Sequence, residues 1–144
     1  MRIYMDVCSF NRPFDDQSQL RIRLEAEAKL RIQEEIRSRK IEVVWSYVLD
    51  YENAKNPYQE RKVRISGWRD YAKIEVQESA DLLATAGKLH EEGFPKIDSL
   101  HIACAIAAEC EYFITTDDRI LRCKNRVTAI TIADPILFVK ECEL

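Results

Sequence analysis

The sequence contains little glycine and proline, with three Gly and four Pro among its 144 residues. A small all-β protein depends on many tight turns, so this scarcity argues against that class. No apolar run approaches the ~18 residues needed to span a bilayer. The N-terminus reaches Arg2 and Asp6 before the apolar core of a signal peptide can form. We therefore expect a globular protein with no membrane segment and no secretion signal.

Closely spaced cysteine pairs and an excess of positive charge are also missing. The five cysteines include no CxxC pair, and their odd number does not suit a disulfide framework. We therefore expect free thiols and a cytoplasmic location. The 22 Lys and Arg residues stand against 25 Asp and Glu, a net charge of −3. This balance argues against binding nucleic acid through overall charge, but not against local phosphate contacts or contacts through a metal.

Strand-like and helix-like segments alternate along the whole chain. This alternation predicts one domain over residues 1–144, an α/β protein with a three-layer α/β/α sandwich around a central, mostly parallel sheet. The predicted strands are residues 2–7, 41–45, 73–76, 112–115 and 127–132. Asp15 and Asp16 are predicted to open a long polar helix. Its apolar stripe would be Leu20, Leu24, Ile32 and Ile36.

Four acidic residues lie at or near the carboxyl ends of predicted strands, where open parallel sheets bind ligands. Asp6 closes the first strand, and Asp117 directly follows the strand at 112–115. Glu52 lies in the helix after the second strand, and Asp98 lies in the first turn of a later helix. Four converging carboxylates require a cation, and an oxygen-only donor set suits Mg²⁺ or Mn²⁺.

Each acid except Asp6 also has an ordinary structural explanation. Asp98 and Asp117 stand at predicted helix N-termini and are equally well explained as helix caps. Glu52 is alternatively a solvated helix residue. Asp6 is the hardest to explain in this way, because it interrupts a strand that is otherwise buried and would cost desolvation if left unpaired.

The order and spacing of these acids resemble the PIN domain, and within it the single-domain VapC-type toxin nucleases. The matching segments are residues 3–9, 44–52, 96–105 and 113–118. The resemblance implies a divalent-metal-dependent endoribonuclease that hydrolyses RNA phosphodiester bonds. It further implies the toxin role of a toxin–antitoxin pair, a small antitoxin partner and a homodimer. The catalytic and metal-binding acids would be Asp6, Glu52, Asp98 and Asp117. The alternative is a non-catalytic PIN-like module that binds RNA or protein.

Ser9 and His101 are candidate supporting residues for the acids Asp6 and Asp98, respectively. Toxin-type members of the family often carry Thr or Ser directly after the first acid, whereas here Ser9 stands three residues after Asp6. His101 follows Asp98 by one helical turn, so both lie on one face. His101 is either a general acid or a packed histidine that is hydrogen-bonded beside the site.

Three more candidates surround the fourth acid. Thr115 and Thr116 either hydrogen-bond neighbouring carboxylates or simply end a β-rich strand. Asp118 either assists Asp117 or caps the short helix that follows. We prefer Asp117 as the ligand, because it is nearer the strand end.

The stretch from residue 55 to residue 73 is locally basic, with six Lys or Arg against Glu60 and Asp70, a balance of +4. We predict that it contacts RNA phosphates, the alternative being a solvated helix face. The RNA-binding candidates are Arg61, Lys62, Arg64 and Arg69. Trp45, Trp68 and the tyrosines are interpreted as core or interface residues.

Overall fold

A computed structural model describes residues 1–144 and contains one sheet of five parallel strands. The strands are β1 Arg2–Met5, β2 Glu42–Ser46, β3 Ile74–Val76, β4 Tyr112–Ile114 and β5 Thr131–Ala133. Their order across the sheet is β3-β2-β1-β4-β5. Each neighbouring pair is parallel. The predicted parallel sheet is therefore confirmed.

Eight helices connect and cover the strands. They are α1 Val7–Asn11, α2 Leu20–Arg37, α3 Tyr47–Ala54, α4 Gln59–Ser66, α5 Ala80–Glu91, α6 Lys96–Ala107, α7 Asp118–Arg122 and α8 Pro135–Glu141. Short 3₁₀ turns cover Arg12–Phe14, Gly67–Tyr71 and Lys124–Arg126. Helix α2 packs against α8, and α5 packs against α6, in the predicted three-layer arrangement. None of the helices combines the length and apolar character needed to cross a bilayer.

The strand order places β1 at the point where the sheet reverses its direction of winding. The chain passes from β1 to β2 and β3 on one side, and returns to β4 and β5 on the other. In open parallel sheets a crevice forms at the carboxyl ends of the strands at this point. The segments that follow β1, β2 and β4 therefore meet at one edge, and these segments begin with Asp6, Tyr47 and Thr115.

Stacking of two aromatic side chains fixes neighbouring strands next to this crevice. Tyr4 on β1 and Phe113 on β4 are paired in register, and their ring centroids lie 5.5 Å apart at an interplanar angle of 10°. Both side chains are fully buried. The stacked rings hold the Tyr4 hydroxyl in the core, where it needs a hydrogen-bond partner.

Helix α2 differs from its prediction at both its start and its buried face. It begins at Leu20, because residues 7–14 form α1 and a 3₁₀ turn that contains Pro13. Leu20 and Leu24 are 60% and 43% exposed, whereas Ile32 and Ile36 are buried. The buried face also includes polar residues whose neighbours compensate them, so the apolar stripe alone did not identify it.

The last strand is also shorter and later than predicted. β5 begins at Thr131, whereas Val127 and Ile130 are buried in the preceding loop. An apolar residue packs equally well from a loop or from a strand, so hydrophobicity alone placed the start of this strand too early.

Candidate active site

Asp6 follows β1 and is held by hydrogen bonds to both carboxylate oxygens. It caps α1, where Oδ1 accepts from the backbone N–H of Ser9 at 3.0 Å, and Oδ2 accepts from the Thr115 hydroxyl at 2.5 Å. The side chain is almost completely buried. Burial raises the pKa of Asp6, and the charge of Glu52 raises it further, although these hydrogen bonds oppose the shift.

The structure places Ser9 and Thr115 next to Asp6. The Ser9 hydroxyl donates to the carbonyl of Ile114 at 3.0 Å, which ties α1 to the end of β4. The Thr115 hydroxyl also accepts from the backbone N–H of Asp117 at 3.1 Å. One threonine side chain therefore contacts the segments of two of the predicted acids.

The loop after β4 places Asp117 and Asp118 in different environments. Asp117 lines a cleft and caps α7, where it accepts from the backbone N–H of Arg119 at 2.9 Å. The sequence-based alternative that Asp118 caps this helix is therefore wrong. Asp118 is exposed and accepts from both terminal nitrogens of Arg21 on α2, at 2.6 and 2.9 Å. Thr116 also lines the cleft, and its buried hydroxyl has no partner within the protein.

Glu52 on α3 is held by a buried chain of hydrogen bonds. Its Oε1 lies 3.0 Å from Nε2 of His101, and Nδ1 of His101 lies 2.5 Å from the Tyr4 hydroxyl. Tyr4 in turn lies 2.7 Å from the hydroxyl of Ser46, which caps α3. A neutral His101 that donates from Nε2 and accepts from Tyr4 at Nδ1 satisfies every link. Both ring nitrogens of His101 therefore have partners within the protein.

The sequence analysis did not identify Tyr4 and Ser46 as members of this series of hydrogen bonds. The available signal was a phenol in an otherwise apolar strand, because a buried tyrosine hydroxyl requires a partner. Its partner, 97 residues away in the sequence, follows from the tertiary structure.

Asp98 lies in the first turn of α6 and is half-buried. Its pKa is raised to about 6, mainly by burial and then by the charges of Asp6 and Asp117. The pKa of the Cys8 thiol is also affected by these acids. Desolvation raises the pKa of its thiol, and Asp6, Glu52, Asp117 and Asp98 all raise it further. The charges of the four predicted acids therefore all reach Cys8, and its raised pKa disfavours a thiolate at this position.

The cleft has a volume of about 550 Å³ and combines acidic with basic walls. Glu52 and Asp117 line it together with Cys8. Its basic residues are Arg12, Lys55 and Arg61. A cavity of this size is within the range of ligand sites.

The predicted RNA-binding residues separate into different surroundings. Arg61 lines the cleft, donating to Asp15 at 3.1 Å and to the carbonyl of Phe14 at 2.6 Å. Lys62 is half-buried on α4. Arg64 lines a second cavity. Arg69 is bound by Glu75 at 2.6 and 3.1 Å, which compensates its charge.

The acids are an oxygen-only donor set, which suits Mg²⁺ or Mn²⁺ in kind. In this arrangement, however, no group of three or more His, Cys, Asp and Glu side chains lies close enough together to hold one ion. Three of the four acids face partners of their own: Thr115 for Asp6, His101 for Glu52 and Arg119 for Asp117. Sharing an ion therefore requires some of these side chains to rotate.

Arg119 forms an ion pair with one of the four acids, Asp117. Its guanidinium donates to both oxygens of Asp117, at 2.8 and 3.2 Å. These hydrogen bonds are the main cause of the lowered pKa of Asp117. No sequence pattern singled out this arginine.

Comparisons with known proteins support the fold. No protein-family model and no curated protein matches the sequence. Among solved structures, the chain is similar to one in the crystal structure of VapBC2 from Rickettsia felis bound to a DNA fragment from their promoter. The TM-score is 0.57 at 13% identity, over 93% of this chain and 98% of that chain. At this identity the likeness concerns the fold alone, and the predicted α/β fold with a central parallel sheet is confirmed.

Proposed function

We propose that this protein is a divalent-metal-dependent endoribonuclease, acting in the cytoplasm as the toxin of a toxin–antitoxin pair. The observation that carries the proposal is geometric: the Thr115 hydroxyl contacts both Asp6 and the backbone of Asp117, and Glu52 and Asp117 line one cleft. Carboxylates that repel one another at the edge of a sheet are compensated by a cation, and the PIN fold supplies the reaction class.

Asp6, Glu52, Asp98 and Asp117 would hold Mg²⁺ or Mn²⁺. A bound ion of this kind lowers the pKa of water and stabilises negative charge on a scissile phosphate. Ser9 and Thr115 fix the carboxylate of Asp6, so its position depends little on solvent.

Glu52 has a second role in the proposal. His101 holds its Oε1, whereas Oε2 makes no hydrogen bond within the protein. Oε2 is therefore available to orient a water molecule or to accept its proton. Arg12, Lys55 and Arg61 in the same cleft would contact the phosphates of the RNA.

Two protein partners belong to the proposal. A small antitoxin is expected, since the similar solved structure is that of VapBC2. A homodimer is expected because α2 exposes the large apolar side chains of Leu20 and Leu24, and α8 exposes that of Ile136. Light scattering of the purified chain should give twice the 16.9 kDa mass of one chain. A single monomeric species at micromolar concentration would contradict the homodimer.

A non-catalytic PIN-like binding module is the second candidate. The hydrogen bonds of Arg119 to both oxygens of Asp117 favour it, because they occupy one of the four acids. Arg119 is 68% exposed, so this pair lies in contact with solvent, where ion pairs are weak and a divalent cation can displace them.

Cleavage of a labelled RNA distinguishes the two candidates. We expect cleavage with Mg²⁺ or Mn²⁺, none with excess chelator, and none by Asp6→Asn. The matched control is Asp50→Asn, which also removes one negative charge but lies on the exposed side of α3, bonded to the indole of Trp45. Equal cleavage by Asp6→Asn and Asp50→Asn, or no cleavage by the unmodified protein, would contradict the nuclease.

A further inference from the structure

A second cavity lies beside the cleft, with a volume of about 400 Å³. Its walls come from α2, α4 and the two 3₁₀ turns Arg12–Phe14 and Gly67–Tyr71, and we call it the α2–α4 cavity. Phe14 lines this cavity, whereas its chain neighbour Asp15 lines the cleft. The two cavities are therefore separated by a single segment of chain, because consecutive Cα atoms are about 3.8 Å apart.

The α2–α4 cavity carries positive charge without acidic side chains in its walls. Arg37 and Arg64 line it, and no Asp or Glu does. Arg37 forms no ion pair within 4 Å. Arg64 lies 3.5 Å from Glu60, but both side chains are more than half exposed, so the pair is weak. In a chain of net charge −3, this uncompensated charge complements a phosphate group.

The floor of the cavity is aromatic. The rings of Trp68 and Tyr71 lie 5.1 Å apart at an angle of 35°. The guanidinium of Arg37 lies 5.0 Å from the centre of the Trp68 ring. Phe14 contributes a third ring. Aromatic rings and guanidinium planes are the surfaces on which unpaired nucleobases stack.

A buried amide holds one ring of this floor in place. Gln33 lines the cavity and is only 7% exposed. With its oxygen facing the neighbouring donors, it accepts from Nζ of Lys29 at 2.7 Å and from the indole N–H of Trp68 at 3.3 Å. The position of the Trp68 ring is therefore fixed by a hydrogen bond from its indole.

We propose that the α2–α4 cavity binds one nucleotide of the single-stranded RNA whose neighbouring phosphate lies in the cleft. Arg37 and Arg64 contact its phosphate, its base stacks on the aromatic floor, and Gln33 holds Trp68 in that floor. This inference rests on the proposed function in one respect, because it assumes that the same RNA also occupies the cleft. Arg61 lines the cleft and holds the carbonyl of Phe14, so it braces the segment between the two cavities.

Binding of a labelled octanucleotide RNA, followed by fluorescence anisotropy in excess chelator, tests the proposal without cleavage. Arg37→Ala and Arg64→Ala should each weaken binding about tenfold and reduce the salt slope by about 0.7. The matched control is Arg23→Ala, which removes an exposed arginine of the same helix α2 that lines neither cavity. Its affinity and salt slope should equal those of the unmodified protein.

Tryptophan emission provides a second readout for base stacking. The octanucleotide should quench the emission of the unmodified protein, and Trp68→Phe should abolish the quenching, because the remaining Trp45 is fully buried. Wild-type affinity in both Arg37→Ala and Arg64→Ala would overturn the proposal. So would an equal loss in Arg23→Ala, or no RNA binding by the unmodified protein.

The test is independent of the nuclease proposal. If Arg37 and Arg64 prove necessary for RNA binding but added Mn²⁺ gives no cleavage, the cavity is supported and the nuclease contradicted. If Mn²⁺ gives cleavage and the arginine variants bind RNA normally, the nuclease is supported and the cavity belongs to another ligand.

Discussion

Burial and mutual repulsion of the acids in the candidate site reduce the stability of the metal-free protein, and a bound metal would offset this loss. The clearest case is Asp98, whose pKa is raised to about 6 by burial and by the neighbouring acids. In the folded protein it keeps a proton at pH values where the unfolded chain has lost it. The folded state therefore binds more protons between the two pKa values, and stability without metal increases as the pH falls through about 6.

Asp98→Asn should therefore stabilise the metal-free protein at neutral pH. We expect a gain of about 1 kcal/mol in the free energy of unfolding, since partial exposure reduces the full effect of the shift. The melting temperature should rise by about 3 °C. The gain should vanish at pH values below the unfolded pKa of about 4, where both proteins are uncharged at this position. Thermal melting in chelator over this pH range checks it, and a variant that melts lower than the unmodified protein at neutral pH would contradict it.

The buried chain that holds Glu52 allows a second prediction at this scale. Tyr4→Phe keeps the stacked ring but leaves Nδ1 of His101 without its partner, which should cost about 2 kcal/mol of stability. Tyr112→Phe is the control, because that hydroxyl is exposed and bonds Glu141. The stability of Tyr112→Phe should lie within about 0.5 kcal/mol of that of the unmodified protein. Chemical denaturation measures both, and equal losses would refute the role of Tyr4.

At the scale of elements, the sequence predicted the five strands and missed features that tertiary contacts define. Ser79 and Asp134 cap α5 and α8, as helix signals in the sequence indicate. Helix α1 was not predicted, because its five residues begin at a cap, Asp6, that also interrupts the strand. The buried side of α2 was predicted only in part. Ile32 and Ile36 are buried as predicted, but Glu25 is buried on the same helix, next to Arg12 and to Arg21 one turn earlier.

Helices α2 and α7 are joined by the ion pair of Arg21 and Asp118, which keeps the loop of Asp117 beside the cleft. A double-mutant cycle with Arg21→Ala and Asp118→Ala should give a coupling of about 0.5–1 kcal/mol, because both side chains are half exposed. The coupling should shrink at high salt. A coupling near zero at low salt would show that the two helices are held by packing alone.

At the scale of the whole molecule, the sequence predicted the acids better than their surroundings. The alternation of elements predicted the parallel sheet, and the positions of Asp6 and Asp117 after strands predicted that they meet at one edge. Thr115 and His101 were candidate partners in the sequence, but which acid each one contacts was not predictable in the same way. His101 faces Glu52 from another helix, and the α2–α4 cavity combines side chains from residue 14 to residue 71, so both depend on how the layers pack.

The central claim is that Asp6, Glu52, Asp98 and Asp117 form one metal site, and calorimetric titration with Mn²⁺ tests it most directly. The unmodified protein should bind Mn²⁺, and Asp6→Asn, Glu52→Gln, Asp98→Asn and Asp117→Asn should each weaken binding at least about tenfold, as loss of a ligand does. Asp50→Asn should bind like the unmodified protein. Unchanged affinity in the four variants, or no Mn²⁺ binding by the unmodified protein, would contradict the account.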